Sequence, residues 1–177
     1  QEPHLEVARE VAPKKNDNYG LSFPEPQRFA TKGEYVPSLA GTGKMSKSVE
    51  GSFINLTDDL ATIQKRLGMA PTDSGKGDSV PTSGGVANLL QFVELFEGVE
   101  RRREYEQAYV TAGIRYGDLK KSLAAAIDQE LAPIRERRRE LEQQPNLVEE
   151  VIQAGAVRAR QVASQTLAET KAAMGLG

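Results

Sequence analysis

Apolar residues in the second half of the chain recur every three, four or seven positions, the pattern of helices with one buried face. The pattern predicts at least four helices, over residues 86–96, over residues 99–110, from about residue 118 to residue 141, and from residue 146 onwards. Pro133 is expected to kink the third helix, and Asn146 with Glu149 resembles a capping box at the start of the last. The apolar stripes of these helices are predicted to form the core.

The first part of the chain carries most of the turn and loop signals, including seven of the nine prolines. Three elements are predicted there: a helix over residues 5–12 ended by Pro13, a short edge strand over residues 35–39, and a helix over residues 60–67 with Thr57 as its N-cap. The pattern as a whole indicates a small α/β part joined to a helical bundle.

Composition excludes several classes of protein. The chain has 177 residues, a net charge of -2 and 38% apolar residues, which is enough for a packed core. The absence of cysteine excludes disulfides, thiolate catalysis and cysteine-bound zinc, and the single histidine excludes a histidine-rich metal site. The longest apolar run, residues 123–127, is far shorter than the roughly 20 residues of a membrane span. Because the chain begins with Gln1 rather than Met, we expect it to be part of something larger.

Residues 41–48 combine two glycines, two lysines and two serines, and we call them the lysine loop. They do not form a P-loop, because Ser38 stands where its first glycine belongs and Met45 where its Ser or Thr belongs. What remains is a mobile, glycine-flanked loop whose ammonium and hydroxyl groups suit a polyphosphate. On chemistry alone, the alternative of a solvated surface loop stays open.

The five residues 44–48, Lys-Met-Ser-Lys-Ser, match the signature loop of class I aminoacyl-tRNA synthetases without a substitution. The flanking segments resemble bacterial tryptophanyl-tRNA synthetases along essentially the whole chain. The similar segments lie within residues 1–23, 36–39, 54–65, 72–74, 85–90 and 174–176. Two of them, residues 72–74 and 85–90, favour the tryptophan enzyme over its tyrosine relative. A tyrosyl-type synthetase fragment and a non-enzymatic helical tRNA-binding module remain as alternatives.

The resemblance implies a mainly α chain made of two domains. Residues 1–50 would be the end of a Rossmann-like α/β catalytic domain, and residues 51–177 a helical-bundle anticodon-binding domain. The implied protein is a cytoplasmic, homodimeric tryptophan–tRNA ligase without a membrane partner or a protein-held metal. It uses ATP, with Mg²⁺ carried by the ATP, to activate L-tryptophan and then transfers it to tRNA(Trp). Because the first catalytic half is missing, we expect the isolated chain to be inactive.

The resemblance also implies roles for individual residues. Lys44 and Lys47 are the expected catalytic residues, since they would offset charge that develops on the leaving pyrophosphate. The expected ATP-binding residues are Val36, Lys44, Met45, Ser46, Lys47 and Ser48. Gln1 is expected to orient the amino acid through its amide.

Arginines are concentrated between residues 101 and 141, where ten basic side chains stand against seven acidic ones. Arg135 and Arg138 share a helix face and are the candidate contacts to tRNA phosphates. The alternative is a solvated face on which Glu136 and Glu140 pair with neighbouring arginines.

Overall fold

The computed structural model describes residues 2–31 and 33–176, and within them the regular secondary structure consists of helices and a single β-bridge. The six helices of this part are α1 (Glu2–Tyr19), α2 (Leu60–Met69), α3 (Gly84–Glu97), α4 (Val99–Val110), α5 (Tyr116–Glu142) and α6 (Pro145–Ala173). The expected mainly α class is therefore confirmed. The spans predicted for α3 and α4 agree with the structure to within two residues.

Contacts divide the chain into two compact units, which we describe separately. One unit consists of Gln1–Ala30 together with Leu141–Gly177, and the other is Thr31–Glu140. The lysine loop therefore belongs to the same unit as α2, α3 and α4. This division differs from the expected boundary near residue 50, which stays a prediction about the domains of the intact protein.

The core of the Thr31–Glu140 unit joins the apolar faces of α2, α3 and α5. Its most deeply buried side chains are Leu39, Ile63, Leu67, Leu89, Leu90, Phe92, Val93, Leu119, Leu123 and Ile127. Most positions of the apolar stripes predicted for these three helices are thus confirmed as core, whereas Leu60 of α2 and Ile134 of α5 are exposed. α3 also packs against α4, and Leu39 brings the segment before the lysine loop into the same core.

α2 begins after Asp59, whose carboxylate accepts a hydrogen bond of 2.8 Å from the backbone N–H of Thr62. This hydrogen bond lowers the pKa of Asp59. The prediction of Thr57 as N-cap is wrong, because a turn precedes the helix. In that turn Asp58 donates its backbone N–H to the carbonyl of Asn55 and its carboxylate accepts from the N–H of Asn55.

α1 runs through Pro13, so the prediction that this proline ends the helix is wrong. Side chains on both sides of Pro13 hold the following segment against α1. Arg9 Nε donates to the carbonyl of Pro26 at 2.8 Å, and Asn16 exchanges two hydrogen bonds with the backbone of Phe23. These contacts offset the hydrogen bond that a proline removes from the helix interior.

α6 has no buried residue, so the prediction that its apolar stripe forms core is wrong. Val151, Ile152 and Val162 are each more than half exposed. An amphipathic pattern identifies the apolar face of a helix, and burial requires a second element to pack on that face. The predicted capping box is also absent, because Pro145 takes the first helical position and Gln144 the N-cap, and the Gln144 side chain does not cap the helix.

Candidate functional site

The lysine loop closes on residues 36–39, which we call the loop root. Met45 N–H donates to the carbonyl of Val36 at 2.9 Å, and Ser38 N–H donates to the carbonyl of Gly43 at 3.0 Å. The predicted strand over residues 35–39 is therefore reduced to one antiparallel bridge, between Pro37 and Lys44. Pro37 has no N–H to extend a ladder, and the chain reverses within a few residues.

A buried serine holds the far side of the loop. Ser52 is 1% exposed, and its Oγ donates to the carbonyl of Ser46 at 2.6 Å. The backbone carbonyl of Ser52 accepts from Leu39 N–H at 2.9 Å, which ties this segment to the loop root. Ser46 Oγ in turn accepts from the N–H of Ser48 at 3.3 Å. The loop backbone is consequently fixed at several points.

The six candidate ATP-binding residues divide into two groups. Val36, Met45 and Ser46 are half-buried, and the first two pack against the core, whereas Lys44, Lys47 and Ser48 are exposed. The apolar members therefore hold the loop on the protein while the ammonium groups face outward. The remaining candidate, Gln1, lies outside the described residues.

A shallow cavity of about 220 Å³ adjoins the loop. It is lined by Met45, Ser46, Lys47 and residues 53–56. The structure thus brings three of the candidate residues together at one cavity, whereas Val36, Lys44 and Ser48 do not line it. An apolar wall beside a cation and hydroxyl donors suits a ligand with a flat ring and an anionic group.

An ionic cluster that sequence reasoning missed supports this wall. Arg66 stacks on the ring of Phe53 at 4.7 Å, and its Nε lies 2.7 Å from Asp58 Oδ2 without the alignment of a hydrogen bond. Asp58 Oδ2 accepts from the N–H of Asn55, and the carbonyl of Asp58 accepts from Arg135 Nη1 at 3.0 Å. We call Asp58, Arg66 and Arg135 the Asp58 cluster. The partners come from three separate segments, so no local spacing indicates them.

Asp73, in one of the segments that carried the resemblance, joins α4 and α5 through two tyrosines. Its carboxylate accepts from the hydroxyls of Tyr109 at 2.5 Å and Tyr116 at 2.7 Å, and from the N–H of Gly75. Burial alone would raise the pKa of Asp73, but these hydrogen bonds outweigh it and lower the pKa below its usual value. Burial and the bond to Asp73 raise the pKa of Tyr116. Asp73 therefore has a structural role, because its carboxylate links α4 to α5.

The two candidate tRNA contacts have different surroundings. Arg135 has a side chain only 15% exposed, with Nη2 at 2.5 Å from Asp128 Oδ1. Arg138 is exposed. Two of their neighbours show the alternative arrangement: Arg137 pairs with Glu140 at 2.8 Å and Arg139 with Glu136 at 3.4 Å. The charge of Arg135 is therefore compensated inside the protein.

Among residues 2–31 and 33–176, no group of three or more His, Asp or Glu side chains is placed to hold a metal ion. The ammonium and hydroxyl groups of the loop can donate hydrogen bonds to phosphate oxygens, and the ammonium groups repel a free cation. The same part of the chain has no helix with the length and apolar character to cross a membrane.

Comparison with known proteins identifies the family. A family model described as tRNA synthetases class I (W and Y) matches residues 1–132. A curated tryptophan–tRNA ligase of Porphyromonas gingivalis is 41% identical over 181 residues, which cover 99% of this chain and 54% of that protein. A relative from Aquifex aeolicus, with the same name, is 34% identical, and the match covers 99% of this chain and 45% of the relative.

Solved structures of tryptophanyl-tRNA synthetases are also similar to this chain. Tryptophanyl-tRNA synthetase from Mycoplasma pneumoniae has a TM-score of 0.79 at 27% identity, covering 100% of this chain and 54% of that chain. The Campylobacter jejuni enzyme, complexed with ADP and tryptophan, has a TM-score of 0.68 at 27% identity and covers 98% of this chain and 54% of that chain. The chain spans about half the length of the curated relatives it matches. The resemblance read from the lysine loop and its flanks is confirmed, and the chain belongs to the class I tRNA synthetases of the tryptophan and tyrosine family.

Proposed function

We propose that the intact protein is a tryptophan–tRNA ligase, which activates tryptophan with ATP and transfers it to tRNA(Trp). The observation that carries the proposal is the lysine loop. Its backbone is hydrogen-bonded to the loop root, its two ammonium groups are exposed, and Lys47 lines a cavity of about 220 Å³. The relatives at 33–41% identity named as tryptophan–tRNA ligases support tryptophan as the substrate.

The chemistry assigned to the loop is charge stabilisation. A carboxylate oxygen of tryptophan bonds to the α-phosphorus of ATP while the bond from that phosphorus to the bridging oxygen breaks, and pyrophosphate leaves. Negative charge grows on the leaving group, so the ammonium groups of Lys44 and Lys47 stabilise the transition state more than they stabilise bound ATP. The hydroxyls of Ser46 and Ser48 donate hydrogen bonds to the same oxygens.

The other parts of the proposal complete the site. Val36 and Met45 contact the nucleotide from the apolar side, and Gln1 orients the amino acid. Mg²⁺ enters with ATP. The intact protein is expected to be a cytoplasmic homodimer. Its contact with tRNA includes α5, where Arg135 and Arg138 are the candidates; the side chain of Arg138 is exposed, whereas that of Arg135 is mostly buried.

The test is substitution of the lysines in the intact protein. Lys47→Ala should lower the rate of adenylate formation by about 10²- to 10³-fold, as loss of one donor to a developing charge does. The KM for ATP should change only a few fold. Lys44→Ala should act in the same direction and more weakly. Pre-steady-state adenylate formation at saturating tryptophan measures the chemical step directly.

Lys65→Ala is the matched control, because Lys65 is an exposed lysine of the same unit on α2. It should leave the rate unchanged. Pyrophosphate exchange with tyrosine in place of tryptophan tests the alternative substrate. Exchange that depends on tyrosine would reject tryptophan as the substrate. A hundredfold weaker ATP affinity with an unchanged chemical step would show that the lysines bind the ground state.

A further inference from the structure

Asn88, on the second turn of α3, is joined to the loop root across 50 residues of sequence. Its Nδ2 donates to the backbone carbonyl of Ser38 at 2.8 Å. Ser38 is 1% exposed, so its carbonyl is removed from water and requires a protein donor. We propose that Asn88 is a positioning residue, which sets the place of the lysine loop by holding Ser38 on α3. The proposal rests on the function proposed above.

Ser38 is the residue at which the core meets the loop. On one side, Leu39 is buried in the core and donates to Ser52. On the other side, the N–H of Ser38 bonds to Gly43 and its Oγ accepts from the N–H of Ala40. The carbonyl of Ser38 is the atom through which α3 holds this junction. A shift of Ser38 therefore shifts both arms of the loop.

Close backbone packing on the other side of the loop adds to this restraint. A Cβ on Gly41 would lie 3.0 Å from Pro71 Cγ and 3.2 Å from Gly85 N, and a Cβ on Gly85 only 2.0 Å from the carbonyl oxygen of Pro71. The loop, the segment after α2 and the first turn of α3 thus lie so close together that neither glycine has room for a side chain. Asn88 lies one turn along α3 from Gly85, so it fixes the root from the same helix.

The position of Lys44 follows from that of Ser38. Lys44 forms its bridge with Pro37, the residue next to Ser38. Loss of the Asn88 amide leaves the Ser38 carbonyl with only the longer hydrogen bond from the N–H of Gly41, at 3.3 Å, and the root is expected to move. A displacement of about 1 Å in a group that meets a transition state typically costs about 10²-fold in rate. The effect on ATP affinity is smaller, because an exposed lysine has few fixed contacts in the ground state.

Two measurements on the intact protein test the role of Asn88. The first is hydrogen exchange at the amides of Ser38, Leu39 and Met45, compared with Leu123 in α5. In Asn88→Ala, exchange at the loop amides should rise about tenfold or more while that at Leu123 stays within about threefold. The second is kinetics: kcat for tryptophan activation should fall about 10- to 100-fold, with the KM for ATP within about threefold.

Gln91→Ala is the matched control. Gln91 lies on the next turn of α3, and its amide also donates to a backbone carbonyl, that of Tyr35, over a longer distance of 3.4 Å. It should leave the loop amides and kcat unchanged. Asn88→Asp, which keeps the size of the side chain and replaces the donor by an acceptor, is the second variant if Asn88→Ala does not fold.

Three results would overturn the proposal. One is a folded Asn88 variant with unchanged exchange at the loop amides. Another is equal acceleration at the loop and at α5, or failure of both variants to fold, because the residue would then support the whole unit. The third is a rise in the KM for ATP with kcat unchanged. Inactivity of the unsubstituted protein with tryptophan would instead reject the proposed function, and hydrogen exchange would still decide the role of Asn88.

Discussion

The Asp58 cluster is expected to contribute more to stability than ion pairs at the surface usually do. The side chains of Asp58 and Arg66 are 10% and 21% exposed, whereas a typical surface pair is open to water and worth less than about 1 kcal/mol. Replacing Asp58 by Ala removes the counter-ion of Arg66 and the acceptor for the backbone N–H and side-chain amide of Asn55. The perturbation therefore leaves a mostly buried guanidinium without its carboxylate.

The magnitude follows from the burial of the pair. Breaking a fully buried ion pair from one side costs about 3–5 kcal/mol. Water reaches part of Arg66, which also keeps its contact with the ring of Phe53, so we expect about 2–3 kcal/mol for Asp58→Ala. Asp58→Asn loses the charge and one of the two acceptor oxygens but keeps the other acceptor for Asn55, and about half of that cost is expected.

Urea unfolding of the chain, followed by far-ultraviolet circular dichroism, measures the free energy of unfolding. A double-mutant cycle with Arg66→Met isolates the pair, and a coupling of about 1–2 kcal/mol is expected. Asp78→Ala, an exposed aspartate of the same unit, is the control and should change stability by less than about 0.5 kcal/mol. A loss no greater than that of the control, or a coupling of zero, would refute the reasoning from burial.

Two further predictions concern Asp73 and Arg138. The stabilising effect of the Asp73 carboxylate should be complete above about pH 4, the unfolded value, and should be lost as the pH falls through its lowered folded pKa. The difference in unfolding free energy between wild type and Asp73→Asn should therefore shrink in acid, and a difference independent of pH would contradict this. Arg138→Ala in the intact protein should reduce the slope of log affinity for tRNA against log salt by about one. Arg115→Ala is its exposed control, and an unchanged slope would mean a solvated face.

Local patterns in the sequence predicted the helices that pack against other helices of the Thr31–Glu140 unit. Apolar spacing located α3 and α4 closely, and most of the stripe positions of α2, α3 and α5 are core. The pentapeptide located the lysine loop, because its chemistry lies in consecutive residues. The sequence had suggested that this loop is mobile, but in the structure hydrogen bonds of Ser38 and Ser52 hold its backbone. Both serines are buried, and no sequence motif indicated this role.

The sequence did not predict contacts between residues that are far apart along the chain. Asn88 and Ser38 are 50 positions apart, and Arg135 and Asp58 are 77 apart, so neither contact has a period or spacing that a single sequence displays. Arg135 appeared to be a solvent-facing cation because its helix face is rich in arginine, yet Asp128 lies two turns earlier on that face and binds it. A basic run indicates a nucleic-acid contact only for the charges that the protein does not itself compensate.

Because the backbone of the lysine loop is already hydrogen-bonded in place, the preference of its lysines for the transition state needs another explanation than ordering of the loop. A mobile loop would lose backbone freedom when it closed on ATP, at about 1–2 kcal/mol for each residue ordered. The hydrogen bonds of Ser38, Met45 and Ser52 already impose that order in this structure. What remains to be ordered is the side chains of Lys44 and Lys47, which are exposed. Each loses up to about 2 kcal/mol of rotamer freedom on binding, which is comparable with the gain from one contact to a solvated phosphate. The net effect on ATP affinity is therefore small, and the full charge interaction is gained only when the α–β phosphate bond breaks and negative charge is concentrated on the leaving group.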